Sequence, residues 1–310
     1  MKKWKLKAIV QKTISYLPLT HHINYFFQKY VTKGVNLSTA YFYDRLGHAK
    51  AHIKGFQNYA ANNPTPKVCL EVGTGWYPIV PISLFLIGAE KIYSVDISFL
   101  TSKERIQTTL EKFIACHKAG QLKNYIDFLP NRFELLTNLL LNYDSFTLDE
   151  VLQQLNIAYL IEDARNLSLA NNSVDLINSN NTFEHIYPDI LIPILKEFKR
   201  IVKKQSGVMS HFIDMSDHFA HFDKSITIYN FLQFSDNQWK WIDNSIQPQS
   251  RMRIYDYKKI YADLNIPISE ETFRQGNLNE LTSIKLADKF TIRPLEEVAI
   301  SHCHFISAMQ

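Results

Sequence analysis

A short, largely apolar run, Val68-Cys69-Leu70-Glu71-Val72, leads directly into Gly73-Thr74-Gly75, and a second run, Ile92-Tyr93-Ser94-Val95, ends in Asp96, 21 residues beyond Gly75. Continuous apolar runs of this length read as strands buried on both faces, the kind found in parallel sheets. Glycine supplies positive φ and lets the backbone approach a neighbour or ligand closely. It is scarce here, 9 in 310 residues, yet Gly73, Gly75 and Gly88 fall within 16 residues. A strand, a glycine turn and an acid ending the next strand constrain the chain to an α/β sheet with a specialised first turn. The acid stands where it can accept both hydroxyls of a ribose.

The remaining pattern agrees. Ala158 to Ile161, Val174 to Asn178 and Gly207 to Asp214 read as further strands. Pro78 to Ala89, Ser102 to His117, much of 121–155 and Ile190 to Val202 read as helices. Pro193 is expected in about the first turn of the last of these, where a missing N–H costs least. Strands separated by helix-length segments need crossovers and pair in parallel, which gives a doubly wound α/β sheet. A helix over Asp256 to Leu264 and a final strand over Val298 to Ile306 follow, with a fainter sixth strand over Ile266 to Phe273.

Residues 1–62 read as an N-terminal helical cap, with Lys7 to Leu17 amphipathic, Pro18 as its stop and His22 to Val31 as a second apolar-periodic stretch. Asn62-Asn63-Pro64-Thr65-Pro66 is a loop that opens the main domain, 63–310. Lys224 to Arg253, with Tyr229, Phe231, Phe234, Trp239 and Trp241, is too long for a simple connection. It reads as part of a lid inserted at about 215–255 after the fifth strand.

Charge and cysteine content narrow the function. A net +4 from 34 basic and 30 acidic side chains is too mild and dispersed for a nucleic-acid binder. Cys69, Cys116 and Cys303 form neither a zinc pattern nor a disulfide framework, so a reducing cytoplasm is the expected compartment. The longest apolar stretch, Ile79 to Ala89, has 11 residues, short of the roughly 18 of a membrane span. Lys5, Lys7 and Lys12 interrupt the apolar run that a secretory signal would need after Met1-Lys2-Lys3. The same lysines beside Trp4, Leu6, Ile9 and Val10 suit either an anionic membrane surface or a cap packed on the catalytic domain.

The first turn also says which nucleoside to expect. Pro78 stands where a dinucleotide fingerprint has its third glycine, and the phosphate-loop Gly-Lys-Ser/Thr is absent. Glu71, two positions before Gly73, would repel a pyrophosphate and suits an ammonium or sulfonium instead. Glu71-x-Gly73-x-Gly75, Asp96, Asp163-Ala164-Arg165 and the stretch from Asp175 to Ile186, including Asn180-Asn181-Thr182-Phe183-Glu184-His185, resemble in order and spacing the S-adenosylmethionine-dependent class I methyltransferases. The likeness is to their small-molecule and quinone-type branch, the type 11 methyltransferases, and it covers about residues 66–214. It implies a Rossmann-like sheet of seven strands with the last antiparallel. It implies that Glu71, Gly73 and Gly75 line the methionine part, that Asp96 holds the ribose, that Asp163 and the Ala164 N–H meet adenine, and that Asn180 sits near the transferable methyl. The family often has a third glycine at the place of Tyr77, and here the turn runs Trp76-Tyr77-Pro78. An aromatic ring there could face the sulfonium.

Methyl transfer asks the protein to align an acceptor and, for an oxygen acceptor, to remove its proton. His185 follows Glu184 after the fourth strand, and His211, His218 and His221 fall between His211 and Asp223 at the end of the fifth. His211 and Ile213 share one strand face, Phe212 and Asp214 the other. These histidines are the candidate bases. Their spacing matches no metal motif, so no metal is expected. The expected reaction is O-methylation of a small-molecule, glycan-precursor or lipid-linked acceptor. Two readings compete with it: aminopropyl transfer, and a membrane-surface or partner-binding protein that keeps the cofactor fold without catalysis. The oligomeric state is not written in the sequence.

Overall fold

The computed structural model describes residues 3–16, 36–60 and 64–309. Pro18, the stretch from His22 to Val31, and Asn62-Asn63 of the boundary loop lie outside the described residues. In chain order the elements are α1 (Lys3–Ile14), α2 (Thr39–Gln57), β1 (Val68–Val72), α3 (Ile79–Leu86), β2 (Lys91–Asp96), α4 (Lys103–Lys118), α5 (Pro130–Leu141), α6 (Leu148–Gln154), β3 (Ile157–Ile161), β4 (Leu176–Asn180), α7 (Pro188–Ile201), β5 (Val208–Asp214), α8 (His218–Phe222), α9 (Asp236–Ile242), α10 (Ile254–Asp263), β6 (Glu270–Arg274), α11 (Leu278–Thr282), α12 (Asp288–Thr291), α13 (Leu295–Ala299) and β7 (His302–Ala308).

The seven strands form one sheet in the order β3-β2-β1-β4-β5-β7-β6, parallel except that β7 runs antiparallel to β5 and β6. From β1 the chain winds outward to β2 and β3, then returns to lay β4 on β1's other side. That reversal opens a crevice at the carboxyl ends of β1 and β4, where ligands bind in such sheets. Period-2 alternation sorts side chains to two cores. Cys69, Phe85, Ile92, Phe113 and Val208 pack on one face with α2 to α6, and Leu70, Ile177, Leu195, Met209, Tyr257 and Phe305 on the other with α7 and α10. A third cluster joins Trp4 of α1 to Phe219, Tyr229, Phe231, Trp239 and Phe290, so most lid aromatics form the lid's own core.

Three expected boundaries move. The fourth strand starts at Leu176, not Val174, which makes only an isolated bridge to Val202. Asp175 is a bend whose N–H donates to the Val68 carbonyl and whose carbonyl accepts from the Val208 N–H, each at 2.8 Å, while its carboxylate accepts from the N–H groups of Lys67 and Val68, at 3.0 and 2.8 Å, and pairs with Lys203. Asn180, expected just past the strand, is therefore its last residue. The final strand starts at His302, because Val298 lies in α13. The fully buried Arg253 guanidinium takes the carbonyls of Val298, Ile300 and Met215, which removes that segment from sheet pairing. Pro193 lies inside α7, and Pro188 occupies the first-turn position.

Candidate active site

The turn after β1 holds Gly73 at φ 74° and Gly75 at φ 69°, conformations that L side chains rarely adopt. A Cβ on Gly73 would collide with the Thr182 side chain, whereas nothing lies within 4 Å of where a Gly75 Cβ would stand. Gly73 thus lets β1 and the post-β4 turn close together, and Gly75 presents bare backbone to open space. Asp96 closes the other side of the turn. Its carboxylate accepts from the Ile97 N–H at 2.8 Å and the Gly75 N–H at 3.4 Å, and burial raises its pKa. Trp76 is taken up by the Arg105 guanidinium, 4.5 Å from its ring centre, while Tyr77 lines the cavity.

Beneath the turn is a cavity of about 260 Å³ lined by Tyr41, Arg45, Glu71, Gly73, Thr74, Tyr77, Ile79, Val80 and Asn180. Glu71 is 3% exposed, and burial pushes its carboxyl up to about 7. Its Oε1 accepts from Asn180 Nδ2 at 2.9 Å, and its Oε2 has no hydrogen-bond partner. Asn180 Oδ1 in turn meets two imidazoles of α2, His48 Nδ1 at 2.9 Å and His52 Nε2 at 3.1 Å. His52 Nδ1 lies 2.7 Å from Ser210 Oγ, which lies 2.8 Å from His304 Nε2. Burial brings His48 down to about 4 and His304 to about 3, and lowers His52 well below its ordinary value.

Arg45 enters the cavity from the same face of α2. Its Nη1 stands 3.0 Å from His48 Nδ1, and its buried Nε has no hydrogen-bond partner. Its Nε lies 4.0 Å from Asp44 Oδ2 and its guanidinium 4.8 Å from the Tyr41 ring centre. If His48 Nδ1 carries the proton that Asn180 Oδ1 accepts, Nη1 is left to donate to a further acceptor. A buried carboxylate and a buried guanidinium with unsatisfied atoms therefore face one cavity. Together they complement the ammonium and carboxylate of an α-amino acid. The residues present fit the methionine end of S-adenosylmethionine, with Asp96 beyond Gly75 for the ribose.

Asp163 does not face this cavity network. Its carboxylate is gripped by Arg165, whose Nε lies 2.9 Å from both oxygens, and its side chain is half exposed at the sheet edge beside the buried Ala164.

The candidate bases separate. His211 is fully buried on the face away from the cavity, stacked on Phe183 at 4.4 Å, with Nδ1 on Ser179 Oγ at 2.8 Å. Burial takes it to about 3, and its ring packs against Phe183 and Phe198. The opposite β5 face carries Ser210, Phe212 and Asp214, and there Phe212 stacks on His48 at 3.8 Å and on His304 at 3.9 Å. His221 is exposed on α8, with Nε2 3.2 Å from Ser216 Oγ. His185 and His218 converge near Glu184 and Asp214. The His218 Nε2 to Asp214 Oδ2 distance is 3.6 Å, and burial brings His185 down to about 4. Arg45, His48 and His52 are not among the residues that the sequence motifs single out. Their spacing of three and four residues is a polar stripe along one helical face, and that was the available signal.

Residues 141–209 match the family model described as a methyltransferase domain. Curated protein sequences give no match. Among solved structures, the chain is similar to the PH0226 protein of Pyrococcus horikoshii at 13% identity and TM-score 0.47, over 89% of this chain and 93% of that one. It is similar to a SAM-dependent methyltransferase of Aquifex aeolicus at 13% identity and TM-score 0.40, over 89% and 100%. A geranyl diphosphate C-methyltransferase of Streptomyces coelicolor matches at 8% identity and TM-score 0.44, over 84% and 80%.

Proposed function

We propose that this S-adenosylmethionine-dependent methyltransferase of class I fold methylates an oxygen of a small-molecule acceptor, with His48 as the base. The observation that carries the reading is the neutral imidazole of His48 hydrogen-bonded to Asn180 at the edge of the cofactor cavity. Bound S-adenosylmethionine supplies an electrophilic methyl group on sulfonium. Glu71 and Arg45 hold the methionine ammonium and carboxylate, Asp96 holds the ribose hydroxyls, and Asn180 separates the methionine pocket from the acceptor side.

An alcohol or phenol acceptor must lose a proton as its oxygen attacks. His48 suits that task. In the tautomer that donates Nδ1–H to Asn180 Oδ1, Nε2 offers its lone pair, and Asp44 Oδ2 lies 3.9 Å from Nε2 to stabilise the imidazolium once formed. A lipid-linked acceptor is the second reading. It is favoured by α1, where Leu6 and Ile9 are each 54% exposed beside the exposed Lys3 and Lys5. No helix among the described residues is long and apolar enough to cross a membrane, so such contact would be peripheral. The aromatic lid lends little to a glycan acceptor, since Tyr229, Phe231 and Trp239 are buried in lid core.

The test is transfer of labelled methyl from S-adenosylmethionine into extract fractions, followed by alkaline and acid stability of the labelled product. Product with an ether or ester methyl supports the reading. A product methylated on carbon or nitrogen would overturn the oxygen assignment.

A further inference from the structure

We propose that Glu184, His185 and His218 form a binding site for a divalent ion of the zinc class. Glu184 and His185 sit in the single turn Phe183–His185 after β4, and His218 opens α8 after the adjacent strand β5. The 32 residues between the two histidines carry no recognisable spacing, and the sheet brings them together. One ligand atom from each of the three lies within 4.8 Å of the others. Zinc takes such nitrogen and oxygen ligands at about 2.0–2.2 Å, so the three side chains would draw in on one ion.

Three features distinguish the cluster from ordinary packing. Glu184 is 6% exposed, yet neither carboxylate oxygen has a hydrogen-bond partner, and the buried Nε2 of His218 has none either. A buried carboxylate left unpaired is expensive, and a cation between it and an imidazole removes that cost. His185 Nδ1 lies 2.7 Å from the Pro248 carbonyl oxygen, which only accepts, so the proton is on Nδ1 and the Nε2 lone pair is free. A backbone carbonyl fixing the outer nitrogen of an imidazole is the usual support for a metal-bound histidine. Finally, Glu184 and His218 line a cavity of about 210 Å³ with Asp214, Ser250 and Met252. The guanidinium in that cavity, Arg251, is already bound to Asp236 and to the Phe231 carbonyl.

Two imidazoles and a carboxylate are a mixed nitrogen and oxygen set. It suits zinc better than magnesium or calcium, which take oxygen ligands. Three protein donors leave a further position, which a water would fill. Asp214 Oδ2, 3.6 Å from His218 Nε2, is the nearest additional carboxylate.

The full chain, stripped with chelator and desalted, is titrated with Zn²⁺ against a chromogenic competitor and, separately, with Co²⁺ while visible ligand-field bands are recorded. The expected result is one ion per chain at sub-micromolar affinity. Loss of an outer-shell partner alone costs about 10–100-fold in metal affinity, so Glu184→Gln and His218→Ala should each weaken binding by at least about 100-fold. His221→Ala, on the same helix, should leave it unchanged. Melting curves of the metal-free variants report folding, and the isosteric Glu184→Gln decides if His218→Ala is unfolded. Failure of the wild-type chain to hold Zn²⁺, or binding by Glu184→Gln as tight as wild type, overturns the site. Cofactor titration in chelator tests the methyltransferase reading separately.

Discussion

Asn180 donates its amide Nδ2 to Glu71 Oε1 over 2.9 Å, from the last residue of β4 to the neighbouring strand β1. When Glu71 is ionised it only accepts, so Asn180 must turn Oδ1 toward His48 and His52. Both rings then present an N–H to that oxygen. For His52 this proton is on Nε2, which leaves Nδ1 to accept from the Ser210 hydroxyl and frees Ser210 Oγ to accept from His304 Nε2. One carboxylate therefore sets the proton order from His304 through Ser210, His52 and Asn180, while at His48 Nδ1 the Asn180 oxygen competes with the Arg45 guanidinium.

Glu71 links stability to cofactor affinity. Its carboxyl is raised from 4.5 to about 7 by burial, with Arg45 opposing and Asp96 adding to the shift. The folded chain thus holds this proton more tightly than the unfolded chain. The associated stability is full below about pH 4.5 and is lost as pH rises through about 7. At about 1.4 kcal/mol per unit the loss is of order 3 kcal/mol. Without cofactor, Glu71→Gln should melt higher than wild type at pH 8 and alike at pH 4.5. By calorimetry its S-adenosylmethionine affinity should fall about 10- to 100-fold, the worth of one charge-assisted hydrogen bond. Parallel melting profiles across pH would mean that Glu71 carries no uncompensated buried charge.

The proposed roles put Arg45 and Asp96 on opposite ends of the same ligand. Arg45→Ala should weaken S-adenosylmethionine by about 10- to 100-fold while leaving methylthioadenosine, which lacks the amino-acid carboxylate, within about threefold. Asp96→Ala should weaken both ligands by about 10- to 100-fold and move the cofactor-free melting temperature little. Equal losses for both ligands in Arg45→Ala would count against its carboxylate role.

Much of this architecture is legible in the sequence because parallel strands, buried on both faces, appear as short apolar runs such as Val68 to Val72 and Val208 to Ile213. The glycine turn and Asp96 are legible for the same local reason. What the sequence withholds is which face of a strand meets the ligand. Alternation along β5 correctly separates His211 from Phe212 and Asp214, but only packing reveals that His211 faces Phe183 and Phe198 while Phe212 faces the cleft. Arg45, His48 and His52 are harder still. They belong to a helix far upstream in sequence whose docking across β4 and β5 is a tertiary event.

The two histidine environments give a contrast in kinetics. His48→Ala should lower turnover by about 10²–10⁴, the span of a lost general base, with cofactor affinity nearly unchanged. Because burial holds His48 near 4, wild-type turnover should be flat through neutral pH and fall only as pH drops toward 4, where the base becomes protonated. His211→Ala should instead retain turnover and lose stability by about 2–4 kcal/mol through the cavity it leaves. Normal turnover in His48→Ala would return the base role to the cluster at His185, His218 and His221, or to alignment alone.

The N-terminal helix can be tested for two separate tasks. Trp4 is 4% exposed and packs on Phe219 and Phe234 at 5.9 Å each, and its backbone N–H donates to the Asp223 carboxylate at 3.0 Å. Lys12 adds bonds to the Lys240 and Asp243 carbonyls, so α1 braces α8 and α9 of the lid. Trp4→Ala should destabilise the chain by about 3–5 kcal/mol in urea melts and raise the acceptor KM, while cofactor affinity holds. Leu6 and Ile9, each 54% exposed, point outward beside the exposed Lys3 and Lys5. If this strip also meets anionic lipid, Leu6→Asp with Ile9→Asp should abolish co-sedimentation with anionic vesicles at low salt and leave the melting temperature within about a degree or two. Vesicle binding that survives this double change, or is missing from the wild-type chain, would leave α1 as a lid brace alone.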